Sequence, residues 1–214
     1  MTVKSFIFNP FQENTYVVFD ETLQAAVIDA GCLSDSEKTQ LRSFIEQNNL
    51  SIQQVINTHL HLDHQFGNRF LFQTYNIAPQ AGIEDEFLLQ NIAAQMRYFG
   101  LLCNEEAQML GAYIADNQII KFGNSELKAI HVPGHSPGSM AFYSAKDGIL
   151  FSGDVLFNGS IGRSDLQKGD FATLINSIKQ RLLCLPDSTL VYCGHGRNTT
   201  IGEEKRSNSF LLAN

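Results

Sequence analysis

At 214 residues with 43% apolar side chains, the chain is long enough to bury roughly 70% of its unfolded surface, most simply in one large domain. The 17% charged fraction excludes a disordered polymer, and no apolar run reaches the ~20 residues of a membrane span. Fifteen cationic against twenty-two anionic side chains give a net charge of −7; with no basic cluster, this argues against nucleic acid as a partner.

Met1 to Phe6 runs directly into a strand-like pattern without the long apolar stretch of a secretory leader. Val3 to Phe8, Thr15 to Phe19 and Ala25 to Ile28 read as short strands rich in β-branched and aromatic residues. Asn9-Pro10 and Asp20-Glu21-Thr22 punctuate them as turns. Asp35 or Ser36 caps a helix with Leu41, Phe44 and Ile45 at helical spacing. Gln53 to Asn57 is a strand, and Gln65 to Tyr75 a helix. From Glu84 to about Ala115 the sequence favours helix, with Phe87, Leu88, Ile92, Met96, Phe99, Leu110 and Ile114 as candidate buried positions. Strands return at Gln118–Phe122, Glu126–Val132, Met140–Tyr143 and Gly148–Phe151. Asp170 opens a helix carrying Leu174, Ile178 and Leu182, Thr189 to Tyr192 is a last strand, and Thr200 to about Ser207 a short terminal helix. Two β-rich halves each carry helices, so the pattern predicts a single α/β domain, 1–214, with helices on the outer faces of two packed sheets and a helical insertion at about 84–116.

Only six histidines occur, and three of them fall in Thr58-His59-Leu60-His61-Leu62-Asp63-His64. In an extended segment residues i and i+2 project to one side, so His59 and His61 can reach one ion. Asp63 and His64 follow where the chain turns into a helix and can face a second ion beside it. Imidazole nitrogen and carboxylate oxygen suit zinc, iron or manganese. Further candidates sit where strands run into loops: His135 in Pro133-Gly134-His135-Ser136-Pro137-Gly138, Asp154 in Ser152-Gly153-Asp154, and His195 in Cys193-Gly194-His195-Gly196. Taken singly, Asp63 also reads as a helix cap and Asp154 as a turn residue; it is the joint pattern that points to two metals. The cysteines Cys32, Cys103, Cys184 and Cys193 form no CxxC pair and read as reduced thiols of a cytosolic protein.

On these residues the chain resembles the metallo-β-lactamase-fold hydrolases, and more narrowly the short glyoxalase II-like enzymes (hydroxyacylglutathione hydrolases). The resemblance extends through Asn14-Thr15-Tyr16, Asp29-Ala30-Gly31, Thr58 to Gly67, Pro133 to Ser139, Gly162-Arg163-Ser164-Asp165 and Thr199 to Glu204. It implies an αββα sandwich. It also implies that His59, His61 and His135 hold one metal, that Asp63, His64 and His195 hold the other, and that Asp154 bridges them. Two divalent ions per chain are expected, zinc first, with iron or manganese as alternatives. Asp-Pro-Gly of the family is Asp29-Ala30-Gly31 here, and the sequence ends before the C-terminal helical domain with which longer members bind glutathione, which leaves the thiol carrier open.

Two metals that share a water lower its pKa toward ~7 and polarise a carbonyl. A thiol of pKa roughly 8.5 leaves without a strong general acid, and five of six histidines are already engaged. Thioester hydrolysis, such as that of an S-(2-hydroxyacyl)glutathione, therefore fits better than peptide hydrolysis, with Asp63 and Asp154 as the catalytic carboxylates. A one-iron persulfide dioxygenase, a lactonase on the same fold, or a noncatalytic metal-binding domain are the alternatives. Arg163 is expected either to bind a substrate carboxylate or to brace its loop through Asp165. Asp29 is a candidate to orient a ligand histidine or a plain strand-end turn. His131 reads as structural, Lys205 and Arg206 as a solvated helix face, and the Phe87 to Phe99 segment as core or as a roof over the substrate cleft.

Overall fold

The computed structural model describes residues 1–90, 92–101 and 106–212. In chain order the first half contains β1 (Thr2–Phe8), β2 (Glu13–Phe19), β3 (Gln24–Ile28), α1 (Asp35–Gln47), β4 (Ser51–Ile56), α2 (Leu62–Gln65), α3 (Asn68–Tyr75) and β5 (Gln80–Ala81). A 3₁₀ segment (Ile83–Leu89), α4 (Ile92–Tyr98) and β6 (Ala112–Tyr113) follow. The second half contains β7 (Ile119–Phe122), β8 (Ser125–His131), β9 (Met140–Ser144), β10 (Ile149–Gly153), the β11–β12 hairpin (Leu156–Phe157, Ser160–Ile161) and α5 (Phe171–Ser177). A π-helical turn continues α5, and β13 (Leu190–Cys193), β14 (Thr199–Thr200), α6 (Ile201–Ser207) and α7 (Ser209–Leu212) complete the chain.

The strands form two six-stranded sheets, ordered β1-β2-β3-β4-β5-β6 and β14-β13-β10-β9-β8-β7. Three apolar layers explain the order. Between the sheets, Tyr16, Val18, Ile28 and Ile56 meet Phe122, Leu127, Phe142 and Phe151. On the outer face of the first sheet, Val17, Val27 and Val55 pack on Leu41, Ile45 and Leu71 of α1 and α3. On the outer face of the second, Ala141, Leu150 and Val191 pack on Leu174, Ile178, Ile201 and Leu211. This is the αββα sandwich. Strand β2 lies inside it, and its first six residues are buried, as expected of a strand covered on both faces.

Most elements lie within a residue or two of their expected positions. The cap of α1 is Ser34 rather than Asp35 or Ser36: its hydroxyl accepts from Glu37 N while the Glu37 carboxylate returns to Ser34 N, a complete capping box. The helix expected over 65–75 starts earlier and is split, because Gly67 N donates to Ala30 O at 2.6 Å instead of to a helical carbonyl. The helix expected over 84–115 is also corrected. It becomes the 3₁₀ segment and α4, which ends at Tyr98 ahead of a turn at Gly100 (φ 73°). Beyond it Ala112–Tyr113 pairs with β5, while 102–105 lies outside the described residues. Within the 3₁₀ segment the Asp85 carboxylate turns inward to three donors on neighbouring loops. Leu88, Ile92, Met96 and Ile114 are buried as expected, whereas Phe99 is exposed. Among the described residues no helix is long and apolar enough to cross a membrane.

Candidate metal centre

The loops that follow β4, β8, β10 and β13 converge at one end of the sandwich. Each expected ligand lies at or just beyond a strand terminus, where the ladder fixes the backbone and the next residues turn to the site. His59 and His61 follow β4, and the short α2 carries Asp63 and His64. His135, Asp154 and His195 come from the loops of the second sheet.

The seven side chains sort into two groups that share a member. His135 Nε2 lies 2.8 Å from His61 Nδ1 and 3.2 Å from His59 Nε2. On the other side His195 Nε2 lies 3.2 Å from Asp63 Oδ2, and His64 Nε2 lies 3.7 Å from the same oxygen. Asp154 spans both: Oδ1 is 3.4 Å from His64 Nε2, and Oδ2 is 3.7 Å from His135 Nε2 and 3.5 Å from His195 Nε2. Gly194 makes the approach possible, since a Cβ there would collide with Asp154 Oδ1.

Three of the five histidines are hydrogen-bonded through their second nitrogen. His135 Nδ1 donates to Arg163 O (2.7 Å) and His195 Nδ1 to Phe11 O (3.1 Å). His59 Nδ1 pairs with Thr58 Oγ1 (3.0 Å), whose own proton goes to Asp29 Oδ2 (2.7 Å). That places the His59 proton on Nδ1 and leaves Nε2 as a lone pair. Asp29 Oδ2 also lies 3.1 Å from His64 Nδ1, and Oδ1 accepts from Thr58 N at 2.6 Å, so Asp29 orients ligands instead of closing a plain turn.

The electrostatics divide along the same line. Burial, reinforced by the neighbouring rings, depresses His59 well below the usual imidazole range and His61 to about 3, so both are neutral. Burial also opposes the charge on His64, but Asp154, Asp63 and Asp29 outweigh it and hold its pKa up. His195 is likewise raised: burial opposes its charge, and Asp63 and Asp154 overcome it. Asp154 is held below the ordinary carboxylate range because His64 outweighs its burial.

The residues fit cations. Lone pairs of His59 and His135 face each other at 3.2 Å, a repulsive arrangement unless positive charge lies between them. His64 Nε2 and Asp154 Oδ1 are buried with no hydrogen-bond partner, the mark of atoms meant for another ligand. Three of the groups whose ligand atoms fall within 4.8 Å are His59/His61/His135, Asp63/His64/His195 and His59/His64/Asp154.

A family model described as the metallo-beta-lactamase superfamily matches residues 8–195. The chain belongs to this superfamily. Among its members, the Haemophilus influenzae protein named hydroxyacylglutathione hydrolase GloC is 38% identical over 203 residues, covering 94% of this chain and 93% of its own. The superfamily fold recurs in the crystal structure of BLEG-1 B3 metallo-beta-lactamase, with a TM-score of 0.89, 32% identity and coverage of 99% and 100%. It recurs again in TTHA1623 in a di-iron-bound form, with a TM-score of 0.85, 33% identity and the same coverage.

The remaining candidates stand apart from the metal groups. Arg163 makes a two-pronged ion pair with Asp165, Nε–Oδ1 2.7 Å and NH2–Oδ2 2.8 Å, the contact of the bracing alternative, and its carbonyl accepts from His135 Nδ1. His131 Nε2 donates to Pro137 O (2.8 Å) and steadies the His135 loop. Lys205 pairs with Asp187 and Arg206 with Glu203 at the surface. Sequence reasoning missed Asp85. Its buried carboxylate accepts from Gly138 N (2.6 Å), Ser136 Oγ (2.6 Å) and Leu60 N (3.2 Å), tying the two loops of the first histidine group together. In the run Glu84-Asp85-Glu86 nothing local separates it from a solvated helix start. Glu13, fully buried beneath His64 and Asp29, was also missed, although it adjoins the Asn14-Thr15-Tyr16 motif.

Proposed function

We propose that this member of the superfamily is a two-metal thioester hydrolase of the glyoxalase II type, acting on an S-(2-hydroxyacyl)glutathione or a related thiol conjugate. The observation that carries the reading is Asp154 lying between two complete ligand groups. The likeness to the Haemophilus protein named as a hydroxyacylglutathione hydrolase supports the substrate class. His59, His61 and His135 would hold one cation, Asp63, His64 and His195 the other, and Asp154 both. Such a pair would bring the pKa of water toward about 7 and offset negative charge developing on a carbonyl oxygen.

The chain's own part is orientation. The neutral rings of His59 and His61 present lone pairs, and Arg163 O and Phe11 O fix the rings of His135 and His195. Asp154 sets the spacing of the two groups. No spare imidazole acts as a proton donor, since His131 is committed to Pro137 O. A thiolate needs none, because its conjugate acid has a pKa of roughly 8.5.

The test is thiol release from S-lactoylglutathione by zinc-, iron- and manganese-loaded protein, with metal counted per chain. Turnover with two ions is expected. No release above buffer removes the substrate assignment. One iron per chain with oxygen consumption on glutathione persulfide replaces it with the dioxygenase alternative.

A further inference from the structure

The turn between β1 and β2 contacts Asp63 and His195 directly and reaches His64 through the Asp29–Gly31 turn. Asn9 sits at its start with φ 53°, in the left-handed region that Asn tolerates better than most residues. Its Nδ2 donates to Gly31 O (2.9 Å) and to Asp63 O (3.0 Å), while its Oδ1 accepts from Phe11 N (3.0 Å). The turn thereby grips the backbone of Asp63 directly. Through Gly31 it also grips the Asp29–Gly31 turn, which places Asp29 beside His64 Nδ1.

The next residues extend the contact. Phe11 O accepts from His195 Nδ1. Glu13 Oε2 accepts from Thr15 Oγ1 (2.8 Å), which in turn accepts from Gly31 N (2.9 Å). Gly31 and Glu13 interlock, since a Cβ on Gly31 would collide with Glu13 Oε2. Asn14 Nδ2 holds Cys193 O (3.0 Å) and Gly196 O (2.9 Å), the carbonyls flanking the His195 loop. The other group is held chiefly by the Arg163 carbonyl and Asp85; its one link to this side of the site is indirect, from Asp29 through Thr58 to His59.

We propose that the Asn9–Asn14 turn is a positioning clamp for the Asp63/His64/His195 group, with Asn9 as its key residue, so that occupancy of that group is set separately from occupancy of the His59/His61/His135 group. The inference rests on the two-cation reading. Removing the partners that orient metal ligands typically weakens metal binding 10- to 100-fold, and here the loss falls on one ion of the pair.

The test is stepwise cobalt(II) titration followed by visible absorption, with zinc counted per chain after dialysis and melting of the metal-free protein as a second readout. Asn9→Gly keeps the positive φ and deletes the amide. Asn9→Asp keeps the shape and the acceptor to Phe11 N but turns the donor into an oxygen facing two carbonyls; it serves if the glycine variant fails to fold. Expected is a first ion bound as in the parent protein and a second ion bound about 10- to 100-fold more weakly; metal-free melting falls, since Gly31 O, Asp63 O and Phe11 N lose a buried partner, but stays cooperative. Equal weakening of both ions, or of neither, in a parent that binds two, overturns the clamp while leaving the two-cation reading intact. A parent protein that binds a single ion overturns both.

Discussion

Asp85→Ala should be among the most damaging single substitutions outside the ligands themselves. The Asp85 carboxylate is fully buried and accepts three hydrogen bonds, from Gly138 N, Ser136 Oγ and Leu60 N. Truncation leaves the two amides with no acceptor, at about 1–3 kcal/mol each. Ser136 loses less, because Ser139 Oγ lies 2.8 Å away and its hydroxyl can turn there. Together these costs give an expected loss of about 3–5 kcal/mol, a large part of the ~5–15 kcal/mol that holds a domain folded. Asp85→Asn keeps the volume and one acceptor. Ser136 can donate to Ser139 and accept from the new amide, so only Leu60 N–H is left facing a donor, for about 1–3 kcal/mol. Urea denaturation of the metal-free proteins reads both values from midpoint and slope. A loss below about 1 kcal/mol for the alanine variant, within the range of ordinary surface substitutions and single weak contacts, would refute the idea that this carboxylate joins the two loops. The asparagine variant, still folded, should show weakened metal binding, because Leu60 lies between His59 and His61 and Ser136 follows His135.

Two more outcomes follow from the same geometry. Burial opposes ionisation of Asp20, but hydrogen bonds from Thr22, Ser125 and Asn124 prevail and hold its pKa at about 2. Because the folded value lies below the unfolded one, its contribution is present above about pH 4. It is lost as pH falls through about 2, so acid titration of metal-free Asp20→Asn should lack this component, and an unchanged acid limb would contradict it. Asp154→Asn keeps the shape but removes the charge between the two groups. Thioester turnover should drop at least about 10²–10³-fold, the scale for losing one preorganised electrostatic contact; undiminished turnover would exclude a bridging role.

The sandwich was legible because its strands carry unambiguous signals: Thr15 to Phe19 and Ala25 to Ile28 are dense in β-branched and apolar side chains, and turn residues bound them. The convergence of the candidate ligands was legible for a different reason, since rare histidines beside glycines at strand ends stand out against the composition. What stayed hidden depends on contacts between distant segments. Asp85 looks like any acidic residue at a helix start until Leu60 and Gly138 are brought to it. The helical reading of 84–115 followed local propensity, which tertiary contacts override. Two-residue strands such as β5 and β14 are too short to carry a period. The contact between the Arg163 carbonyl and His135 is equally invisible in a sequence, because any residue carries a backbone carbonyl.

Neither half of the molecule owns a complete ligand group. His59, His61, Asp63 and His64 arrive with the first sheet, while His135, Asp154 and His195 arrive with the second, and each trio takes its third member from across the seam. His59 and His135 are 76 positions apart, so a chain emerging from the ribosome carries four of the seven groups long before the others exist. Any ion seated here would act as a rivet through both layers, installed last, and its removal would be felt first as a loosening of one layer from the other.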